Sequence, residues 1–335
     1  MRILVTGVAG FIGSNIAKTL SARPDVEIFG VDNLTNGDKF RNLVDLRLSG
    51  YLDKTRLLDE LESGRLGRFD AIFHEGACSA TTERNGRYML ENNYEYSVRL
   101  LDHCEKHATR FFYASSAAVY GASSVFKEDP AYEKPLNVYG YSKLLFDQIV
   151  RQRYAGSDGV TLSPKFQVAG FRYFNVYGQR EDHKGRMASV ALHHMHQFKE
   201  SGKVKLFDGC DGYPAGGQMR DFVSVDDVVA VNLHFLDNPG ISGIFNLGTG
   251  RAEAFNEIAR SVVGELRKRS GLPELSLEQA VAEGLIEYIP FPEDLIGRYQ
   301  SFTQADISVL RKAGYTAAFK SVAEGVADYV RHIDS

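Results

Sequence analysis

The stretch "RILVTGVAGFIGSNIAKTL" (residues 2–20) decides the fold. Residues 2–7 form a short run rich in β-branched and apolar side chains, the signature of a buried strand. From residue 10 onward the apolar positions Ile12, Ile16, Ala17 and Leu20 fall at helical spacing. The turn between the two carries Gly7, Gly10 and Gly13 in GxxGxxG spacing. The same alternation continues outward. Strands are expected over 26–33, 69–77, 110–121 (with its loop) and 166–178, and helices over 87–107 and 137–155. Strand and helix in turn mean βαβ units, a parallel sheet covered on both faces and right-handed crossovers.

The class is therefore α/β, a doubly wound parallel sheet of Rossmann type. In that setting the glycines allow a tight turn and close approach of backbone to a pyrophosphate, whose charge a helix N-terminus favours. Asp32 closes the second strand, where an acid accepts hydrogen bonds from an adenosine ribose and favours NAD. Lys39, Arg41 and Lys54 follow and are able to neutralise a 2′-phosphate. The residues alone leave NAD and NADP open. "HEGACS" (74–79) follows a strand at its carboxyl end, where ligands of open sheets sit, and its small residues let a cofactor pack close. Cys78 reads as a small apolar residue.

Tyr139 and Lys143 form YxxxK, and at i and i+4 they share a helix face. A free tyrosine titrates near about 10 and must fall by roughly 3 units to act as a base near neutrality. A neighbouring ammonium is the right source of such a shift. Ser116, ending "ASSAAVYG", is the hydroxyl expected to bond the reacting oxygen.

After about residue 174 glycine, aspartate and turn signals become frequent, and "FDGCDGYPAGGQMRDF" (207–222) reads as containing a mobile loop over 209–217. "SVDDVVAVNLHFL" (224–236) reads as a helix capped by Ser224, with Asp227 at its third position. A dinucleotide-binding domain is expected over 1–173, with 224–246 and 301–330 returning to it. A smaller, discontinuous C-terminal substrate lobe takes 174–223 and 247–300.

Of the 335 residues, 39 are Lys or Arg and 43 Asp or Glu, a formal net charge of −4 that gives no case for nucleic acid or an anionic membrane as partner. Three cysteines without a CxxC argue against a disulfide framework or a zinc site. With no leader pattern and no long apolar run, a cytoplasmic chain is expected.

Several longer strings carry a resemblance. They are "DNLTNGDKFRNLVDL" (32–46), "IFHEGACSATTE" (72–83), "YEKPLNVYGYSK" (132–143), "GFRYFNVYGQREDHKGRMASVA" (170–191), "IFNLGTGRAEAF" (244–255), "IEYIPFP" (286–292) and "GRYQSFTQADI" (297–307). Over nearly its whole length the chain resembles the extended short-chain dehydrogenases/reductases that act on nucleotide sugars, and more narrowly the ADP-L-glycero-D-manno-heptose 6-epimerase family. The resemblance implies NADP as cofactor, ADP-heptose as substrate, a role in lipopolysaccharide precursor synthesis and a homo-oligomer, a pentamer in that family.

It also implies a transient hydride transfer at an exocyclic carbinol, with two acid/bases matched by Tyr139 and by Lys184 of the "HKG" string. Cofactor contacts carry over to Gly7, Gly10, Phe11, Ile12, Gly13, Asp32, Asn33, Lys39, Lys54, Glu75, Gly76, Ala77, Cys78, Ser79, Asn92, Lys143, Val176 and Lys184. Substrate contacts carry over to Asn175, Arg186, His193, Phe207, Asp208, Gly209, Cys210, Arg220 and Tyr299. Arg220 suits bidentate pyrophosphate binding; its bland alternative is an ion pair with Asp221 or Asp226.

The chain departs from the family in places. Val8 stands where a second consecutive glycine is usual, Arg186 where a small hydroxyl residue is expected, and the segments 210–219 and 267–284 are long. A UDP-hexose 4-epimerase is the nearest rival reading. A dehydratase needs an acid–base pair beside the serine, where this chain has Ala117 and Ala118. A dinucleotide-sensing protein without catalysis is expected to lack the Ser116, Tyr139 and Lys143 set.

Overall fold

The structure is a computed structural model and describes residues 1–156, 162–292 and 300–333. The strands are β1 (Arg2–Thr6), β2 (Glu27–Asp32), β3 (Leu48–Asp53), β4 (Ala71–His74), β5 (Arg110–Ser116), β6 (Val168–Tyr173), β7 (Asn175–Tyr177), β8 (Val204–Phe207), β9 (Met219–Arg220), β10 (Phe222–Ser224), β11 (Gly243–Leu247), β12 (Glu253–Ala254) and β13 (Ile286–Ile289). The helices are α1 (Phe11–Ser21), α2 (Lys54–Glu62), α3 (Gly86–Leu90), α4 (Tyr96–His107), α5 (Val138–Tyr154), α6 (Val190–Ser201), α7 (Val225–Asp237), α8 (Phe255–Arg269), α9 (Leu277–Ala282), α10 (Ser308–Lys312) and α11 (Val322–His332).

Seven parallel strands form one sheet in the order β11-β6-β5-β4-β1-β2-β3. Strand order reverses between β1 and β4, so the carboxyl ends of these two strands flank the crevice where such sheets bind ligands. Alternate residues serve opposite faces. Leu4, Val31, Ile72, Phe111, Tyr113 and Val168 pack with Leu57 and Leu61 of α2, Leu100 and Leu101 of α4, and Phe146 and Val150 of α5. On the other face Phe235 of α7 meets Phe171 edge-on at 5.1 Å and Phe245 at 4.6 Å. This is the doubly wound Rossmann arrangement that the sequence leads one to expect.

The chain divides into two compact units: residues 1–173, 228–247 and 308–315, and residues 174–227, 248–307 and 316–335. Where residues 301–330 are expected to return to the first unit, residues 316–335 cluster with the second. The reason is apolar: Val322, Val326, Tyr329 and Val330 of α11 share a core with Ile258, Val262 and Leu266 of α8. Two-stranded pairs β7–β10, β8–β13 and β9–β12 complete the second unit.

Three local expectations are corrected. The strand expected over 166–178 breaks at Phe174 into β6 and β7, which belong to different sheets. The helix expected over 87–107 contains a π-helical turn, Glu91–Glu95. The Ser224 hydroxyl caps the amide of Asp226 at 3.3 Å, while the Asp227 carboxylate accepts from the Lys320 amide at 2.9 Å instead of closing a capping box. Among the described residues no helix is long and apolar enough to cross a membrane.

Candidate active site

β1 hands the chain to the glycine turn. Gly7 has φ +69°, and a Cβ there would lie 2.7 Å from the Gly76 amide nitrogen, so both the backbone conformation and the approach of the β4 end require glycine. The Gly10 amide donates to the Gly7 carbonyl at 2.8 Å. Gly10 then opens α1 without a side-chain cap, and no acid stands in the first turn at Phe11, Ile12 and Gly13. A helix start without an acid or a side-chain cap suits an anion.

At the end of β2 both Asp32 oxygens are engaged. The Ala9 amide donates to one at 2.8 Å and the Asn33 amide to the other at 2.7 Å. The Lys39 ammonium pairs with the same carboxylate and also donates to the Asn33 carbonyl at 2.9 Å. Register puts Asp53 beside Asp32, and Lys54 follows it with its ammonium 2.6 Å from the Asn92 Oδ1.

The end of β4 is fixed to the glycine turn through Thr6, which accepts from the amides of Glu75 (on its carbonyl, 3.2 Å) and Gly76 (on its hydroxyl, 3.1 Å). Asn93, inside the π turn, grips Cys78 by its amide (2.7 Å) and its carbonyl (2.9 Å), and its amide nitrogen reaches the Ser142 hydroxyl at 3.1 Å. π turns are frequent at functional sites because the extra residue re-aims side chains. Ala77 and Ser79 of the same segment are exposed.

α5 starts at Val138, its N-cap Asn137 accepting from the Gly140 amide at 2.8 Å. A Cβ at Gly140 would come within 2.5 Å of the Ala118 carbonyl oxygen, so glycine lets this helix end lie against the turn after β5. That approach brings Tyr139 to Ser116, whose hydroxyl also accepts from the Ala118 amide at 3.1 Å. Burial raises the Tyr139 phenol, the Ser116 hydroxyl works against it, and Cys78 adds to the rise. The chain by itself thus keeps the phenol protonated.

One turn on, Lys143 is buried and donates to the Ala114 carbonyl at 2.7 Å. Burial lowers its pKa to about 8 against the pull of Glu75, Asp147 and Cys78. Glu75 is pushed up to about 7 by burial, although the Tyr173 hydroxyl donates to it at 3.1 Å and Lys143 lies within electrostatic reach. Its second oxygen, Oε2, is buried without a hydrogen-bond partner. Beneath these groups Asp147 accepts from Tyr113 (3.0 Å), Ser115 (3.0 Å) and Arg172 (2.9 Å). Arg172 reaches on to Glu133 at 2.5 Å and the Tyr120 hydroxyl at 3.0 Å.

The second unit carries the remaining candidates. Lys184 lies in a short helical turn, Asp182–Met187, and its side chain is 23% exposed. Burial lowers its pKa while Glu181, 4.0 Å away, resists. Arg186 is exposed and His193 half-buried on α6. Asn175 is exposed at the start of β7, and Val176 pairs with Val223. Arg220 is buried with its guanidinium 5.7 Å from the Phe255 ring and one nitrogen 2.9 Å from the Met219 carbonyl. Neither acid weighed as its partner is idle. Asp221 accepts from Thr249, Gly250 and Ala305, and Asp226 pairs with Lys320.

Phe207, Asp208, Gly209 and Cys210 lead into the glycine-rich loop, which is built of turns. Gly216 donates to the Phe207 carbonyl at 2.9 Å, Gln218 to the Asp208 carbonyl at 2.9 Å, and Asn256 to the Ala215 carbonyl at 2.9 Å. Tyr299 lies outside the described residues. Sequence reasoning passed over Asn93, Asp147 and Arg172. Only the adjacent Asn92–Asn93 pair offered a signal, since a π turn leaves no mark in composition.

Residues 3–248 match the NAD dependent epimerase/dehydratase family. The chain belongs to this family. Among solved structures, this epimerase/dehydratase is similar to the ADP-L-glycero-D-manno-heptose-6-epimerase of Helicobacter pylori, at 29% identity over 100% of this chain and 96% of that one, with a TM-score of 0.80. It is similar also to the UDP-glucose 4-epimerase of Thermotoga maritima, at 26% identity, 100% and 99% coverage and a TM-score of 0.76. The UDP-glucuronic acid 4-epimerase of Bacillus cereus, solved with NAD, shares the fold at 22% identity, 100% coverage of both chains and a TM-score of 0.74. The glycine cradle, the uncapped start of α1 and the Glu75 oxygen without a partner fit a nicotinamide dinucleotide.

Proposed function

We propose that this family member interconverts ADP-D-glycero-D-manno-heptose and ADP-L-glycero-D-manno-heptose by transient oxidation of the exocyclic 6-carbinol, with NADP as cofactor. The dinucleotide, when bound, supplies a hydride acceptor that returns the same hydride, so there is no net redox change. Ser116 holds the reacting oxygen, and Tyr139 takes the carbinol proton of one epimer. Lys143 supports the tyrosinate by its charge and orients the ribose. The intermediate ketone presents its other face, and Lys184 gives the proton to the new alkoxide of the opposite epimer. The reading requires Tyr139 and Lys184 to serve opposite faces of that carbon.

The observation that carries it is the state of Lys184. In a run of charged residues where Asp182 and Arg186 are exposed, Lys184 is withdrawn from solvent and its ammonium is destabilised by burial. A lysine that must give and take a proton needs that environment. NADP is favoured by the engagement of Asp32 with Lys39. The acid that would repel a 2′-phosphate is already matched by a cation, and Lys54 stands at the adjoining strand end. Asn175, Arg186, His193, residues 207–210, Arg220 and Tyr299 are the proposed substrate contacts, and the active species is proposed to be a homo-oligomer.

The test is to incubate purified protein with the D,D-epimer, with and without NADP, and resolve the epimers by chromatography. Tyr139→Phe and Lys184→Met are each expected to lose about 10²-fold or more in rate. UDP-glucose is run alongside. Conversion of UDP-glucose with the heptose untouched would move the reading to a 4-epimerase.

A further inference from the structure

We propose that Glu181 is a positioning residue for Lys184: its carboxylate, fixed in the interior of the second unit, locks both ends of the turn that carries the lysine and supplies its counter-charge. The proposal rests on Lys184 acting as an acid/base.

Glu181 is fully buried, unlike its neighbour Asp182. A buried carboxylate is costly unless several donors meet it. Here the Ser189 amide and hydroxyl each donate at 2.6 Å and the Gly178 amide at 3.3 Å. One carboxylate therefore spans the turn from residue 178 to residue 189. The Ser189 hydroxyl also caps α6 through the Leu192 amide at 3.2 Å, tying the turn to a helix. The backbone between is not free to settle otherwise: Arg180 has φ +72°, Gly185 has φ +52°, and the Lys184 amide donates to the Glu181 carbonyl at 2.9 Å.

The ammonium stands 4.0 Å from the carboxylate. A tight ion pair would hold the lysine protonated and its donors occupied. A separation of this length keeps the attraction without the short contact of a tight pair.

The turn and the helix that follows it carry other ionisable groups. Arg180, Asp182, His183 and Arg186 come from the turn itself, and His193 and His194 from α6. Burial presses His194 to about 3, so it is neutral. From α11 comes Tyr329, kept in its phenol form by burial and by Glu181 and Asp182.

The experiment reads Lys184 directly. The full chain is labelled with acetic anhydride across a pH series, and acylation of the Lys184 peptide is followed by mass spectrometry. Loss of the carboxylate charge disfavours the ammonium, so Glu181→Gln is expected to move the titration midpoint down by about 1 unit, the low end for an opposite charge within about 4–6 Å. In the direction in which Lys184 gives its proton, the rate needs the ammonium, so the falling limb of the epimerisation rate should move to lower pH with it.

Glu181→Asp keeps the charge and is expected to stay closer to wild type. Ser189→Ala, which keeps the carboxylate, is expected to lower the melting temperature and leave the midpoint in place. An unmoved midpoint in Glu181→Gln, or equal shifts in the Gln and Asp variants, overturns the proposal. Failure of the wild type to act on any nucleotide-linked heptose sinks the functional reading, but leaves the labelling result to judge the coupling.

Discussion

Val8 stands in a glycine turn and is fully buried, so its side chain needs room that the turn does not supply. The room comes from β2: a Cβ at Gly30 would lie 3.0 Å from both Val8 Cγ1 and Leu48 Cδ1. A side chain has in effect moved from strand to turn. Gly30→Ala should therefore cost about 1–3 kcal/mol through overpacking. In a Val8→Gly background the cost should shrink, which a double-mutant cycle by urea denaturation measures. Equal costs in both backgrounds would dismiss the exchange. At this scale much was legible. Gly7, Asp32, Tyr139 and Lys143 announce themselves because strand, turn and helix periodicity place them. Gly30 was not, because a glycine inside a strand does not name the neighbour that needs its space. Lys39 was read as a phosphate partner, but only the structure reveals its pairing with Asp32.

Helix α5 shows how an element carries the site. Its first turn holds Tyr139, its second Lys143, and one turn deeper Asp147 meets the fully buried Arg172. Arg172 also holds Glu133, which the half-buried Arg151 of α5 grips from the other side at 2.5 Å. Removing Arg172 leaves Asp147 and Glu133 with buried charge incompletely matched. Arg172→Ala is expected to destabilise the chain by about 3–5 kcal/mol, read as a fall in denaturation midpoint. A loss below about 1 kcal/mol, the ceiling typical of exposed pairs, would mean that water replaces the pair. The sequence offered little of this, since strand residue 172 and helix residue 147 are linked only through the sheet. The π turn was equally silent, because "ENNYE" is ordinary helical composition. β3 and α2 went unread, the first an edge strand with Gly50 at its centre.

At the scale of the whole molecule, the chain leaves each unit and comes back to it. The return of residues 224–246 to the first unit was expected from the sequence, and residues 228–247 cluster there. The sequence did not show that the C-terminal helix belongs to the second unit, since an amphipathic helix does not state which core it faces. Truncation after residue 315 removes Val322, Val326, Tyr329 and Val330 from that core and takes Lys320 from Asp226. Limited proteolysis of the truncated chain should cut within residues 174–307 first; unchanged resistance there would show that α11 is dispensable.

The interleaving also has a consequence for how the protein is made. As the ribosome releases the chain, β6 emerges with all six residues apolar-facing or otherwise destined for burial, yet its outer neighbour β11 follows only some seventy residues later. Until then the nascent sheet presents a bare, hydrogen-bond-hungry border of the kind that recruits other chains. Neither unit is complete before residue 308 has been synthesised. Maturation of both must wait for residues 308–315 and beyond, and the interval before them is when the polypeptide most needs shielding.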